Sequence, residues 1–192
     1  MNIVIFGPPG AGKGTQSNFI VKKFNLYQIS TGELLRKEIN DKTQLGQQIS
    51  SIINAGNLVS DEIVGNLIAK FIINKDYKNR IIFDGYPRNL SQAKYLDVLL
   101  KRNNQKIDIA LKLSVSLETI KKRILERKNL EKRADDNEKT AIRRYETYEN
   151  NIEPVINFYK KSDLLQVVNG EASITEISDE ISALIEGKKG WL

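Results

Sequence analysis

Gly7-Pro8-Pro9-Gly10-Ala11-Gly12-Lys13-Gly14-Thr15 stands between an apolar run, Asn2 to Phe6, and a helical pattern from Gly14 to Phe24. Glycines let the backbone turn so that successive amides point inward, and the helix that follows adds the positive end of its dipole. Such a bend is an anion cradle, and Lys13 brings a point charge to the outer phosphates of a ligand. A strand before the loop and a helix after it are the context this motif requires. One position departs from the usual G-x-x-x-x-G-K-[ST] pattern: Gly14 stands where a hydroxyl would meet Mg²⁺, and Thr15 comes one residue later. The expectation is that Mg²⁺ is held mainly by ligand oxygens and water, not by this loop.

Outward from the loop, short apolar runs alternate with helical patterns. Strands are expected at Asn2–Phe6, Tyr27–Ser30, Ile81–Asp84, Ile107–Leu113 and Leu164–Val168, with helices between them. That alternation argues for an α/β fold with a doubly wound, five-stranded parallel sheet flanked by helices. The last helix places Ile174, Ile177, Ile181, Leu184 and Ile185 at core-facing spacing. Two segments fit the alternation poorly. Residues 30–59 are helical in pattern but polar, with Gly46 and Gly56 as breaks, and residues 128–140 are almost wholly charged. Both read as pieces projecting from the core, and the final Gly187-Lys188-Lys189-Gly190-Trp191-Leu192 reads as a loose tail.

The chain has 192 residues, which suits one α/β domain. It contains no cysteine and no histidine. Disulfides, Cys/His zinc sites, Ser-His-Asp catalysis and Cys-His catalysis are thereby excluded. The chemistry left rests on Lys, Arg, Asp, Glu, hydroxyls, backbone amides and hard cations. The net charge of +6 attracts phosphorylated small molecules, nucleic acid or anionic membranes, although a general abundance of Lys, Asn and Ile accounts for part of it. No basic platform interleaved with aromatics stands out, so a nucleic-acid partner is not expected. No run approaches the ~20 apolar residues of a membrane span, and Gly7-Pro8-Pro9-Gly10 cuts the first apolar stretch short. A cytoplasmic monomer without membrane association is expected.

The loop in its form G-x-P-G-x-G-K-G-T resembles that of the nucleoside monophosphate kinases. Four further phrases are similar to motifs of that family: Ile29-Ser30-Thr31-Gly32-Glu33-Leu34-Leu35-Arg36, Ala55-Gly56-Asn57-Leu58-Val59, Asp84-Gly85-Tyr86-Pro87-Arg88 and Arg133-Ala134-Asp135-Asp136. Only five residues separate Arg127 from Arg133, where long-lid members insert a small subdomain. Within the family the chain therefore resembles the short-lid adenylate kinases. The resemblance implies a P-loop core (1–29, 60–126 and 137–192), a helical NMP-binding insertion (30–59) and a short lid loop (127–136). It also implies reversible phosphoryl transfer from ATP to AMP giving two ADP, with Mg²⁺ bound to ATP and no zinc. UMP/CMP kinase is the alternative, and a non-catalytic P-loop nucleotide-binding module a lesser one.

Each candidate residue also has a reading of its own. Asp84 ends a buried strand, where an acid faces the ligand crevice of a parallel sheet; the resemblance makes it the acid that orients water on Mg²⁺. Arg88 can clamp phosphoryl oxygens bidentately, and the resemblance has it bridge the transferring group and the monophosphate. Pro87 presets that turn, and a cis bond is implied. Ser30-x-x-Glu33 fits a capping box, which leaves Thr31 free to face a ligand. The resemblance assigns Thr31 to the AMP base, Arg36 to its α-phosphate, and Asn57, Leu58, Val59, Gly85 and Tyr86 to the same site. Asn57 stands where many relatives have Lys. Gln92 lies one helical turn after Arg88, and its carboxamide can pair with an adenine edge. UMP/CMP kinases typically carry Ala and Asn at the positions of Thr31 and Gln92, so this pair favours AMP.

On the ATP side the resemblance places Gly10, Ala11, Gly12, Lys13, Gly14 and Thr15. Arg123 and Arg127 share a helix face; the family roles are stacking on adenine for Arg123 and reaching the phosphates for Arg127. Solvated helix charge, beside Lys121, Lys122 and Lys128, is the plainer alternative. Ala172 is implied to give adenine a backbone contact. Arg133 precedes Asp135-Asp136-Asn137-Glu138, which reads as a helix cap, and Arg144 lies along that helix. Both match arginines that contact the phosphates, while Asp135 and Asp136 help close the lid. The catalytic set expected is thus Lys13, Asp84, Arg88, Arg127, Arg133 and Arg144.

Overall fold

The computed structural model describes residues 1–131 and 138–189. Arg133, Asp135 and Asp136 lie outside the described residues, as does the second half of the expected lid, 132–136. Five parallel strands form one sheet: β1 (Ile3–Phe6), β2 (Tyr27–Ser30), β3 (Ile81–Asp84), β4 (Ile109–Ser114) and β5 (Leu165–Asn169). Their spatial order is β2-β3-β1-β4-β5, all pairs parallel, with Val4 opposite Phe83 on one side and Ala110 on the other. The order reverses at β1, so a crevice opens at its carboxyl end, where the glycine-rich loop begins.

The central strands are apolar throughout because helices cover both faces. Ile3 and Ile5 point to one layer, where they meet Ile20 of α1 (Lys13–Phe24) and Ile177, Ile181 and Ile185 of α8 (Ile174–Lys189). Val4 and Phe6 point to the other, against Leu96 and Leu100 of α5 (Leu90–Arg102) and Val155 and Tyr159 of α7 (Glu138–Lys160). Burying each such side chain contributes about 1.5–3 kcal/mol. Three more helices, α2 (Thr31–Asn40), α3 (Gln44–Asn54) and α4 (Asp61–Ile72), lie between β2 and β3, and α6 (Leu117–Glu131) follows β4. Side-chain oxygens of Ser30, Thr43, Ser60 and Asn89 accept from backbone amides in the first turns of α2, α3, α4 and α5. Each such cap is worth about 1 kcal/mol.

At the opposite end of the sheet, the buried Asn2 amide ties three strands. It donates to Gln105 Oε1 and the Lys106 carbonyl and accepts from the Ile81 amide, while the Asn2 backbone amide goes to Asp108 Oδ2. A side chain taking that amide ends the ladder, so β4 starts at Ile109 rather than Ile107.

Four expectations need correcting. Gly46 does not break a helix; it sits inside α3, where a Cβ would lie 2.0 Å from the Glu38 carbonyl oxygen, and its bareness lets α2 and α3 touch. Gly56 does break the chain, at φ +76°. Residues 30–59 pack on the core rather than projecting from it: Leu35, Ile49 and Val59 join the same buried cluster as Val4 and Phe83. Ile174 is 64% exposed, since it opens α8 and joins the fold through its carbonyl, which accepts from Gln16 and Ser178. The tail is helical as far as Lys189.

Candidate active site

The loop after β1 turns through the left-handed region at Gly10 (φ +85°) and Gly12 (φ +91°), where side chains are strained. Gly12 starts α1 without a side-chain cap. The first-turn amides are therefore left for an anion. Lys13 Nζ folds back over the loop and donates to the carbonyls of Gly7 at 2.7 Å and Pro8 at 3.0 Å. Burial lowers its pKa to about 8; Asp84 opposes that shift, while Arg88, Arg144 and Arg127 add to it. Cations from four separate elements thus act on one another around the loop.

Lys13, Arg36, Arg88 and Arg144 line a single cavity, together with Thr31, Asn57, Leu58, Val59, Gly85, Pro87 and Gln92. Burial holds Arg88 at a pKa of about 10, with the Arg144 guanidinium the next cause; Asp84 pulls the other way and Arg36 adds to the lowering. Arg88 Nε donates to the Gly85 carbonyl at 2.7 Å. Asp84, at the carboxyl end of β3, is 8% exposed and accepts from Gln28 Nε2 at 3.0 Å.

One side chain differs from its sequence reading. Thr31 is not left free: its hydroxyl is buried and donates to the Gly85 carbonyl at 2.9 Å. Ser30 nonetheless caps α2 as expected. Gln92 lines the cavity and is 3% exposed, with Oε1 accepting from the Arg88 amide and Nε2 donating to Asp61. Tyr86 is buried in the core and does not line the cavity, and the Tyr86–Pro87 bond is cis.

The ATP-side residues sit on the other flank of the loop. Arg123 Nη1 lies 3.4 Å from the Ala11 carbonyl, to which it donates. Arg127 is half-buried and close enough to Lys13 to depress its pKa. Gly14 and Thr15 are exposed at the start of α1. Ala172 packs beside the α1–α8 cluster, away from the cavity. The cavity wall also includes residues that the sequence did not single out: Leu35, Ile53, Val64, Thr147, Tyr148 and Ile152. Tyr148 and Ile152 follow Arg144 at four-residue steps, so a helical-face reading of α7 could have found them.

A glycine-rich cradle at the switch point of a parallel sheet, facing a half-buried cation cluster across a cavity, defines a P-loop kinase whose acceptor carries a phosphate of its own. The sequence matches the profile of the adenylate kinase family over residues 5–164. It is 42% identical to the adenylate kinase of Pelagibacter ubique, covering 97% of this chain and 100% of that one, and 42% identical to that of Azobacteroides pseudotrichonymphae, covering 97% of each. It is 37% identical to the adenylate kinase of Fusobacterium nucleatum, covering 96% of this chain and 98% of that one. The chain belongs to the adenylate kinase family. The Pelagibacter alignment spans 212 positions against the 192 residues here, so that relative carries residues this chain lacks.

Proposed function

We propose that the protein transfers a phosphoryl group reversibly between ATP and AMP, giving two ADP. One observation carries the reading: Lys13, Arg88 and Arg144 share one cavity at the mouth of the phosphate loop. UMP and CMP are less favoured acceptors, because the relatives are named adenylate kinases and Thr31 and Gln92 both line the cavity.

The chemistry asks for alignment and charge neutralisation more than covalent help. An AMP phosphate oxygen is the nucleophile and is already ionised, so a chain without histidine loses nothing. Arg36, Arg88 and Arg144 hold the acceptor phosphate, and Lys13 with the loop amides holds the donor's outer phosphates. Arg123 and Arg127 serve the ATP side, with Gly10, Ala11, Gly12, Gly14, Thr15 and Ala172, and Arg133 joins Arg144 at the acceptor phosphate. Among the described residues no cluster of three acidic, His or Cys groups could hold a metal alone. A lone buried carboxylate, Asp84, does fit a hard cation held mostly by nucleotide oxygens. Asp84 would be the protein's contribution to holding Mg²⁺ that arrives with ATP, and the ion would supply neutralisation of the phosphates.

Residues 30–59 act as the AMP-binding segment and 127–136 as the lid, each closing on its nucleotide to exclude water. The enzyme works as a cytoplasmic monomer. The direct test is a coupled assay of ADP formation from ATP with AMP, UMP or CMP. Turnover is expected with AMP; faster turnover of UMP or CMP would overturn the assignment.

A further inference from the structure

Gln92 sits between the AMP cavity and a smaller cleft lined by Asp61, Ser91 and Tyr95. Its carboxamide is held at both ends. Oε1 accepts from the Arg88 backbone amide at 2.7 Å, and Nε2 donates to Asp61 Oδ1 at 2.8 Å. Asp61 is itself held by Asn89 Nδ2 at 2.9 Å, and Asn89 Oδ1 caps α5 by accepting from the Gln92 amide at 2.8 Å. Chemistry dictates the amide's orientation. A backbone N–H requires the oxygen and a carboxylate requires the NH₂. A flipped Gln92 would set donor against donor at Arg88 and acceptor against acceptor at Asp61.

One lone pair on Oε1 and one proton on Nε2 remain for a ligand. Adenine offers the complement, an exocyclic N–H donor beside a ring-nitrogen acceptor. A 6-oxopurine puts an acceptor where that donor was, and only a flipped amide would match it. We propose that Asp61 is a positioning residue that locks the Gln92 amide so that the site reads adenine and rejects 6-oxopurine monophosphates. The inference rests on the AMP reading above and names what sets its selectivity.

The test compares kcat/KM for AMP and for inosine monophosphate, with ATP as donor. Phosphorylation of AMP by the unaltered enzyme checks the functional reading by itself. In Asp61→Ala the AMP-to-IMP ratio is expected to fall about tenfold or more, since a hydrogen-bonding pocket discriminates only while its groups are oriented. Asp61→Asn, whose oxygen still accepts from Nε2, keeps the ratio within about threefold. In a Gln92→Leu background, Asp61→Ala no longer changes the ratio. General loosening of α4 would lower both substrates alike and leave the ratio unmoved. Should Asp61→Ala not fold, Asp61→Ser carries the same expectation. A fall of less than about threefold in the alanine or serine variant, or an equal fall in the Gln92→Leu background, overturns the proposal.

Discussion

The Thr31 hydroxyl donates to the Gly85 carbonyl at 2.9 Å, and a Cβ on Gly85 would come within 3.0 Å of the same Thr31 oxygen. The first residue of α2 and the turn after β3 are therefore fitted to each other, and Arg88 Nε shares the Gly85 carbonyl. Thr31→Val keeps the shape and removes one donor. Losing a net hydrogen bond of about 1 kcal/mol should raise KM for AMP about fivefold and leave KM for ATP nearly unchanged. Gly85→Ala adds a Cβ at φ +74°. It should cost about 1–3 kcal/mol of stability as well as AMP affinity. Chemical denaturation with steady-state kinetics checks both; a Thr31→Val enzyme with equal shifts for the two nucleotides would refute the pairing.

Arg88 spends Nε on Gly85 and lines the cavity, and its two outer nitrogens remain to form a fork on a phosphate. A lysine cannot reproduce that fork. Both Arg88→Ala and Arg88→Lys should lower kcat about 10²–10³-fold, with folding intact by circular dichroism. Turnover of Arg88→Lys within tenfold of the parent would show that charge alone suffices.

Lys13 has a pKa of about 8 in the free protein, against an ordinary 10.5. Between those values the free site has lost a proton that the unfolded chain retains. Two consequences follow from the sign. Stability of the free protein gains from Lys13 as pH rises through this window, because the unfolded state binds more protons there. Polyphosphate binding restores the charge, so ligand binding at pH 9 should take up protons, and affinity should weaken with rising pH. Calorimetric titration of ATP at pH 9 in two buffers of different ionisation enthalpy measures the uptake. Lys13→Met should abolish the uptake and turnover alike, yet raise Tm by about 2–4 °C at pH 7 by removing one buried like charge. Proton release on binding would contradict the sign.

Much of this was legible because it is local. The strands are short apolar runs between helical patterns, and the loop has its strand and its helix on either side. The arginines carry motif context. What stayed hidden depends on partners far away in sequence. Gln92 is oriented by Asp61, thirty-one residues earlier, and no local pattern announces that pair. Leu35, Val64 and Ile152 line the cavity yet look like ordinary core residues, because an apolar wall and an apolar core have the same periodicity. Thr31 read as free because the capping rule accounts for Ser30 and is silent on the next hydroxyl. Ile174 shows the reverse error: its spacing fits the buried face, but the first turn of α8 meets the core through a backbone carbonyl.

Gly46 is the sharpest case of a residue whose role only packing reveals. A glycine within polar sequence suggests a break, but α3 runs through it, and the space a Cβ would need is filled by the Glu38 backbone, 2.0 Å away at its oxygen. Backbone cannot swing aside as a long side chain can. Gly46→Ala must therefore push α3 off α2, at a cost of about 1–3 kcal/mol or more. Alanine's better helix propensity, worth about 1 kcal/mol, offsets only part of that. The helices displaced carry Thr31, Arg36 and the approach to Asn57, so KM for AMP should rise more than KM for ATP, while Tm falls by about 2–4 °C for each kcal/mol lost. A Gly46→Ala protein at least as stable as the parent would mean that α2 and α3 do not pack this closely in solution.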